Sequence, residues 1–200
     1  RVRLGLFKPM PDDDEAARIE RVRALLAEAG FERYEVSSYA REGRVSVHNT
    51  LYWLGGAYLG LGAGAHGYLP GPGLERAVRR ENVKSPERYV ETALAGRTEA
   101  RFEEQLERAQ VVSDRLMVVF RTAFGLDVDA LDAELGGRLE RATLLPLLET
   151  LHRQGFLVRA GARWRPTTRG FLFNDAIARA MVHAGGLVAP EGRPGSAGPA

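Results

Sequence analysis

The stretch from Gly55 to Gly73 limits the fold more than any other feature of this chain. It holds Gly55, Gly56, Gly60, Gly62, Gly64, Gly67, Gly71 and Gly73, with Pro70 and Pro72 among the last of them. No helix can run through such a segment, because an interior glycine costs a helix about 1 kcal/mol and a proline about 3 kcal/mol. The chain therefore divides into a front part with mixed helix and strand signals and a rear part dominated by helical periodicity.

In the front part, Pro11, Asp12, Asp13, Asp14 and Glu15 put acids where a helix N-terminus favours them, and Asp12 with Glu15 has the spacing of a capping box. Ile19, Val22, Leu25, Leu26 and Ala29 then fall on one face, and Gly30 stands where a left-handed cap closes a helix. A helix with one packed stripe is expected there. Phe31 to Tyr39 reads as a strand through Tyr34, Val36 and Tyr39, ended by a turn at Arg41 to Gly43, and Tyr58 to Leu61 reads as a second. Helix, glycine, strand is an α/β unit, yet two strands make no stable sheet by themselves.

In the rear part, Ser85 and Pro86 form an N-cap and first helical residue for a short helix ending near Gly96. From Phe102 to Thr122, Leu106, Ala109, Val112, Leu116, Val119 and Phe120 recur at helical spacing, and Gly125 closes the run. Asp129 is placed to cap a short helix through Leu135. A longer helix with Leu144, Leu147, Leu148 and Leu151 should end at Gly155. Phe156 to Val158, a turn at Gly161, and Trp164 with Arg165 predict a hairpin before Thr167 or Thr168 caps a last helix. Helices followed by a hairpin suggest a winged-helix-like module, and the Gly-, Pro- and Ala-rich tail after Gly185 is expected to be disordered.

Apolar residues make up 44% of the chain, enough for a real core. The absence of cysteine excludes disulfides, thiolate metal sites, cysteine nucleophiles and cysteine-ligated iron-sulfur clusters within this sequence. A net charge of +2 gives little reason to expect a nucleic-acid or membrane partner. No window reaches the roughly 18 apolar residues of a membrane helix, so a soluble, cytoplasmic protein is expected. The chain opens on Arg1 rather than Met and reads as a fragment.

Two constellations could carry chemistry. Gly62, Gly64 and Gly67 form a formal G-x-G-x-x-G, but a dinucleotide fingerprint needs these glycines to open a helix, and Pro70 to Gly73 follow instead. What survives is either a tight turn with packing glycines, which the residues alone favour, or a strand end that lets a ligand approach backbone closely. His66 within it faces a cofactor or fills space left by glycine. The second constellation is His48, Asn49, Tyr52 and Trp53. An imidazole can ligate heme iron and aromatics can contact a porphyrin face, although a histidine beside aromatics more often packs through a hydrogen bond. His152 and His183 lack partners at metal spacing and read as structural or surface residues. Arg79 with Arg80, and Arg163 with Arg165, could meet phosphates but suit a solvated face as well.

The order of motifs is more specific than any one of them. Tyr34 to Gly43 reads Y-E-V-S-S-Y-A-R-E-G, His48 to Trp53 reads H-N-T-L-Y-W, and Tyr58 to Gly67 reads Y-L-G-L-G-A-G-A-H-G. N-V-K-S-P-E-R-Y at Asn82, R-T-A-F-G-L at Arg121 and T-T-R-G-F-L-F-N-D at Thr167 follow. This order resembles the HemW-type heme chaperones, a branch of the radical S-adenosylmethionine family related to oxygen-independent coproporphyrinogen III oxidase.

The resemblance implies an α+β or α/β fragment: the last helix and strand units of a partial (β/α) barrel at residues 1–70, a connecting segment with a short helix at 71–101, a mainly helical C-terminal domain at 102–185, and a tail at 186–200. It implies a heme surface at His48, Asn49, Tyr52 and Trp53, with His48 as the iron ligand, and an S-adenosylmethionine wall at Gly62, Ala63, Gly64, Ala65 and His66. Heme and heme-acceptor proteins would be the partners, with no nucleic acid. The family's four-iron, four-sulfur cluster needs a cysteine motif absent here, so this chain alone should not cleave S-adenosylmethionine. Two other functions compete: oxidative decarboxylation of coproporphyrinogen III, and nucleic-acid binding by a winged helix through Arg163 to Arg169, which would weaken steeply with salt.

Overall fold

The computed structural model describes residues 11–184. The disordered tail expected at 186–200 lies outside the described residues. Helix α1 spans Asp12–Glu28 and closes as its sequence predicts: Gly30 takes φ +79°. Its N–H bonds the Ala27 carbonyl at 2.9 Å, and that of Phe31 bonds the Leu26 carbonyl at 2.8 Å. At the other end the capping box is not formed, since Pro11 is the N-cap and provides no side-chain bond. Nor is the apolar stripe covered by the described residues, with Val22 and Leu25 each about half exposed.

The strand expected over Phe31 to Tyr39 is instead a tight hairpin, β1 (Glu32–Arg33) against β2 (Tyr39–Ala40). Val36 and Ser37 turn the chain between them, and the Ser38 carbonyl accepts from Tyr34 N. The middle of the segment pairs far away in sequence, with Val36 N donating to Arg121 O and Ala123 N to Tyr34 O, both at 2.9 Å. Helix α2, Val47–Trp53, is capped by Ser46, whose hydroxyl accepts from Asn49 N. The second expected strand, Tyr58 to Leu61, is reduced to a single bridge between Tyr58 and Tyr68.

The sheet that does form was not legible locally. It comprises β3 (His66–Pro70), β4 (Arg76–Asn82) and β5 (Ala100–Glu107), all antiparallel and in the order β3, β4, β5. The stretch 71–101, expected to be a connection around one helix, holds that helix, α3 (Pro86–Leu94), but also β4 and the start of β5. Ser85 caps α3 and accepts from Arg88 N, as expected. No parallel pairing occurs among the described residues.

The long helix expected from Phe102 begins later, as α4 (Arg108–Val118), because residues 102–107 belong to β5. Glu107 and Gln110 form a reciprocal capping box at that start, which fixes where strand gives way to helix. After a 3₁₀ turn at Val119–Arg121 come β6 (Leu126–Asp127), α5 (Val128–Glu134), α6 (Arg141–Arg153), β7 (Leu157–Ala160) and β8 (Arg163–Pro166). The residue capping α5 is Asp127, accepting from Ala130 N, rather than Asp129. Strand β8 lies between β6 and β7. Thr167 caps α7 (Thr168–Leu172), and α8 (Asn174–Ala184) follows, so the last helix is broken into two.

The core sits almost wholly in this rear part. Val111, Val112 and Leu116 of α4, Leu144 and Leu148 of α6, and Met181 of α8 are all at most 1% exposed and belong to one cluster. Tyr68, Leu74, Ala77 and Leu106 extend it beneath the three-stranded sheet. The mixed α and β content agrees with the α+β expectation. No described helix is long and apolar enough to cross a membrane.

Candidate functional site

Helix periodicity explains how the motif at residues 48–53 is divided. Positions 48 and 52 share one face, and positions 49 and 53 share the next. On the first face the Tyr52 hydroxyl lies 3.0 Å from His48 Nε2, and the two rings meet edge to face at 4.8 Å. Both side chains are exposed. On the second face Trp53 turns inward and lines a cavity of about 270 Å³ with Leu116, Leu126 and Leu131. Asn49 is half-buried, and its backbone N–H completes the Ser46 cap. His48 and Tyr52 thus form the outward pair, while Trp53 fastens the helix to the rear part.

Tyr52 continues an aromatic row. Its ring is 4.3 Å from that of Tyr58, which is 6.2 Å from that of Tyr68. None of the α2 residues is buried, and Val47, Leu51 and Leu54 expose apolar surface beside His48. Leu59 and Leu61, 71% and 84% exposed, extend this apolar area along the chain.

The glycine segment is a loop rather than a strand end. Asn82, buried at the end of β4, donates from Nδ2 to the carbonyls of Gly60 (3.0 Å) and Gly62 (2.9 Å). Gly62 N donates to the Tyr89 hydroxyl, Gly64 N to Val83 O and Ala65 N to Gly62 O. These amides are satisfied within the chain, so the loop offers a ligand a smooth wall but few free donors. Gly60 is required by a close approach, since an added Cβ would fall inside the His66 carbonyl. Asn82→Ala should therefore loosen the loop, costing about 1–3 kcal/mol locally. Hydrogen exchange at Gly62 and Gly64 checks this, and unchanged protection would show that Asn82 does not hold the loop.

His66 stands across from Glu81 in the β3–β4 register, with its Nε2 3.8 Å from the carboxylate. Glu81 is buried and also bonds Arg101 and Lys84. Burial pushes its carboxyl up, but the hydrogen bonds from Arg101 and Lys84 outweigh that and hold it below its ordinary value. A depressed folded value adds stability above the unfolded pKa, near ~4.3, and that stability is lost as pH falls through the folded value. Melting temperature should therefore drop more steeply in acid, below pH about 4, for the parent chain than for Glu81→Gln. Parallel pH profiles of the two would overturn the assignment. The groups around Glu81 were missed in the sequence because two of its partners, Arg101 and His66, come from other strands.

Among the described residues no cluster of three metal-ligating side chains occurs. His152 donates from Nδ1 to Leu157 O at 3.0 Å, a structural role.

Residues 106–173 match the family described as the HemN C-terminal domain. The heme chaperone HemW of Mycobacterium tuberculosis is 38% identical over 91% of this chain and 43% of its own length. The chain matches the C-terminal part of the HemW-type heme chaperones. The heme chaperone HemW of Escherichia coli is 31% identical over 84% of this chain and 43% of its own length. The mitochondrial radical S-adenosyl methionine domain-containing protein 1 of Bos taurus is 36% identical over 59% of this chain and 27% of its own length. Among solved structures, the coproporphyrinogen III oxidase HemN of Escherichia coli shares the fold with a TM-score of 0.62 at 16% identity, covering 86% of this chain and 42% of that one. The chain thus spans less than half the length of the curated HemW relatives it matches.

Proposed function

We propose that this HemW-type chain supplies part of the heme-binding surface of a heme chaperone, with His48 as the residue that meets iron. The observation that carries the reading is α2: a seven-residue helix with no buried residue, presenting an imidazole among Val47, Leu51, Tyr52 and Leu54. So short a helix has little stability of its own. A contiguous exposed apolar surface around a potential ligand is the usual mark of a binding face. The residues fit heme: His48 offers a ring nitrogen, Tyr52 an aromatic face, and the exposed leucines apolar contact for the macrocycle. With no heme bound, the Nε2 of that imidazole is occupied by the Tyr52 hydroxyl, which would move aside for heme to be held there as cargo. Tyr52 thereby keeps the imidazole oriented and shields its nitrogen from solvent until it is displaced. Trp53 and the cap through Asn49 fix the helix that carries the pair.

The intact protein would pass heme to acceptor proteins, with an adjacent radical S-adenosylmethionine centre. The donor set here does not fit the cluster of that centre, since the sequence has no cysteine. Gly62, Ala63, Gly64, Ala65 and His66 suit a wall against S-adenosylmethionine, for the packing reason given above. Residues 1–70 are assigned to the barrel edge, and 71–101 joins it to the rear part through β4, α3 and the start of β5. The order β6, α5, α6, β7, β8 supports a winged-helix-like arrangement within 102–185.

The test is a titration of the chain with heme followed in the Soret region, with His48→Ala and Tyr52→Phe in parallel. Saturable binding is expected, weakened about tenfold or more in His48→Ala, on the scale of one charge-assisted or coordinate contact. Tyr52→Phe should retain the Soret shift. A folded parent chain that does not bind heme, or a His48→Ala variant that binds equally well, would sink the proposal.

A further inference from the structure

Tyr52, the partner of His48 on α2, also lines a small cavity of about 210 Å³. Tyr58, Tyr68, Arg79, Asp114 and Arg115 line it as well. The volume is below the roughly 300 Å³ at which pockets for whole small molecules begin. It admits a side arm, not a ring system. Burial raises the phenol of Tyr58 above its ordinary range, helped by Tyr52 and opposed by Arg79. Burial also raises Tyr68, with Asp114 adding to it against Arg115 and Arg79. Both phenols therefore stay neutral and remain hydrogen-bond donors.

The two arginines are not equivalent. Arg79 is bonded to Asp114 and, at 3.4 Å, to Glu104 on the neighbouring strand, so two carboxylates already share it. Arg115 has a longer ion pair, 3.5 Å to Glu134, and its side chain is 26% exposed. It lies against the turn that ends α2. Gly55 there has φ +65°, and an added Cβ would come 2.7 Å from the Arg115 Cδ. The same guanidinium borders the Trp53 cavity. With the Asp114 carboxylate taken up by Arg79, a cation with one long partner and two neutral phenol donors around the same cavity make a receptor for a carboxylate.

We propose that Arg115 binds a carboxylate side arm of the tetrapyrrole whose ring lies over the His48 face. This rests on the heme reading above and deepens it: the arm enters past Tyr52, and the planar guanidinium meets the propionate through paired N–H groups. Tyr58 and Tyr68 supply further donors. Specificity for an acidic tetrapyrrole would then come from this cavity, and affinity for the metal from His48.

The experiment compares heme with its dimethyl ester, in which both propionates are neutral, on the parent chain, Arg115→Gln and Arg115→Lys. Arg115→Gln should weaken heme binding about tenfold and leave the ester unchanged, the loss expected for one charge-assisted contact. Arg115→Lys should recover part of the loss, since it restores the charge but not the fork. If the parent chain binds both ligands equally, or Arg115→Gln weakens both to the same degree, the carboxylate role is overturned while heme binding stands. If a folded parent chain binds neither ligand, the heme reading itself fails and this inference falls with it.

Discussion

Replacing Gly125 with alanine is expected to destabilise the chain by about 2–5 kcal/mol, the sum of left-handed backbone strain of about 1–2 kcal/mol and overpacking of about 1–3 kcal/mol. Gly125 holds φ +70°, and an added Cβ would fall inside the carbonyl of Trp164, with the Cβ to Arg165 Cγ distance also only 2.9 Å. The first obstacle is backbone, which cannot swing aside as a side chain can. It belongs to β8, paired with β6 at Leu126 and Trp164, so relief would require the three-stranded sheet to open. Gly136→Ala is the control, because its φ of +66° is nearly the same but nothing lies within 4 Å of the added carbon. It should lose only the conformational part, about 1–2 kcal/mol. Denaturant unfolding of both variants measures the difference directly. Equal losses would mean that Gly125 does not lie against Trp164 as described.

Leu148→Ala is the second large effect, expected at about 2–5 kcal/mol. Leu148 is wholly buried on α6, as are Leu144 on the same helix and Leu135 after α5. Removing the branched end of the side chain exposes a void that α4, α6 and α8 cannot all collapse into, since each is held by its own buried residues. Leu94→Ala removes the same atoms from a position 85% exposed and should change stability by no more than about 0.5 kcal/mol. The pair isolates burial from helix propensity, as both residues stand within or at the end of helices. A Leu148→Ala loss as small as that of Leu94→Ala would contradict a core centred on α6.

These effects concentrate in the rear part because the buried apolar residues do. The front part keeps Val22, Leu25 and the α2 face in contact with solvent, and it is joined to the rear through backbone pairing of 34–36 with 121–123 and through Trp53. That division matches the proposed roles. A rigid rear part holds the Arg115 and Trp53 cavities in place, while the exposed surface remains for a ligand.

Several features were determined by the sequence itself because they depend on neighbours along the chain. Gly30 after an amphipathic run, Ser85 before Pro86, Gly155 after Leu151 and Thr167 before α7 each set an element boundary through a bond reaching only a few residues. The order of motifs from Tyr34 to Asp175 likewise revealed the family, and the spacing of His48 and Tyr52 put them on one helical face. The tertiary structure alone decided the β3–β4–β5 sheet. Residues 76–82 and 100–107 are rich in arginine and glutamate, which favour helix locally. They become strands because Ala77 and Leu106, paired in the ladder, bury into the core, and the pairs Arg79–Glu104, Arg80–Glu103 and Arg101–Glu81 match charge across it. The sequence likewise could not show that Tyr34 to Val36 would pair with Arg121 to Ala123, or that Arg115 would lie behind Gly55, beside the tyrosine that faces His48. Such contacts join residues dozens of positions apart, and their energy exists only once the chain has folded back to bring them together.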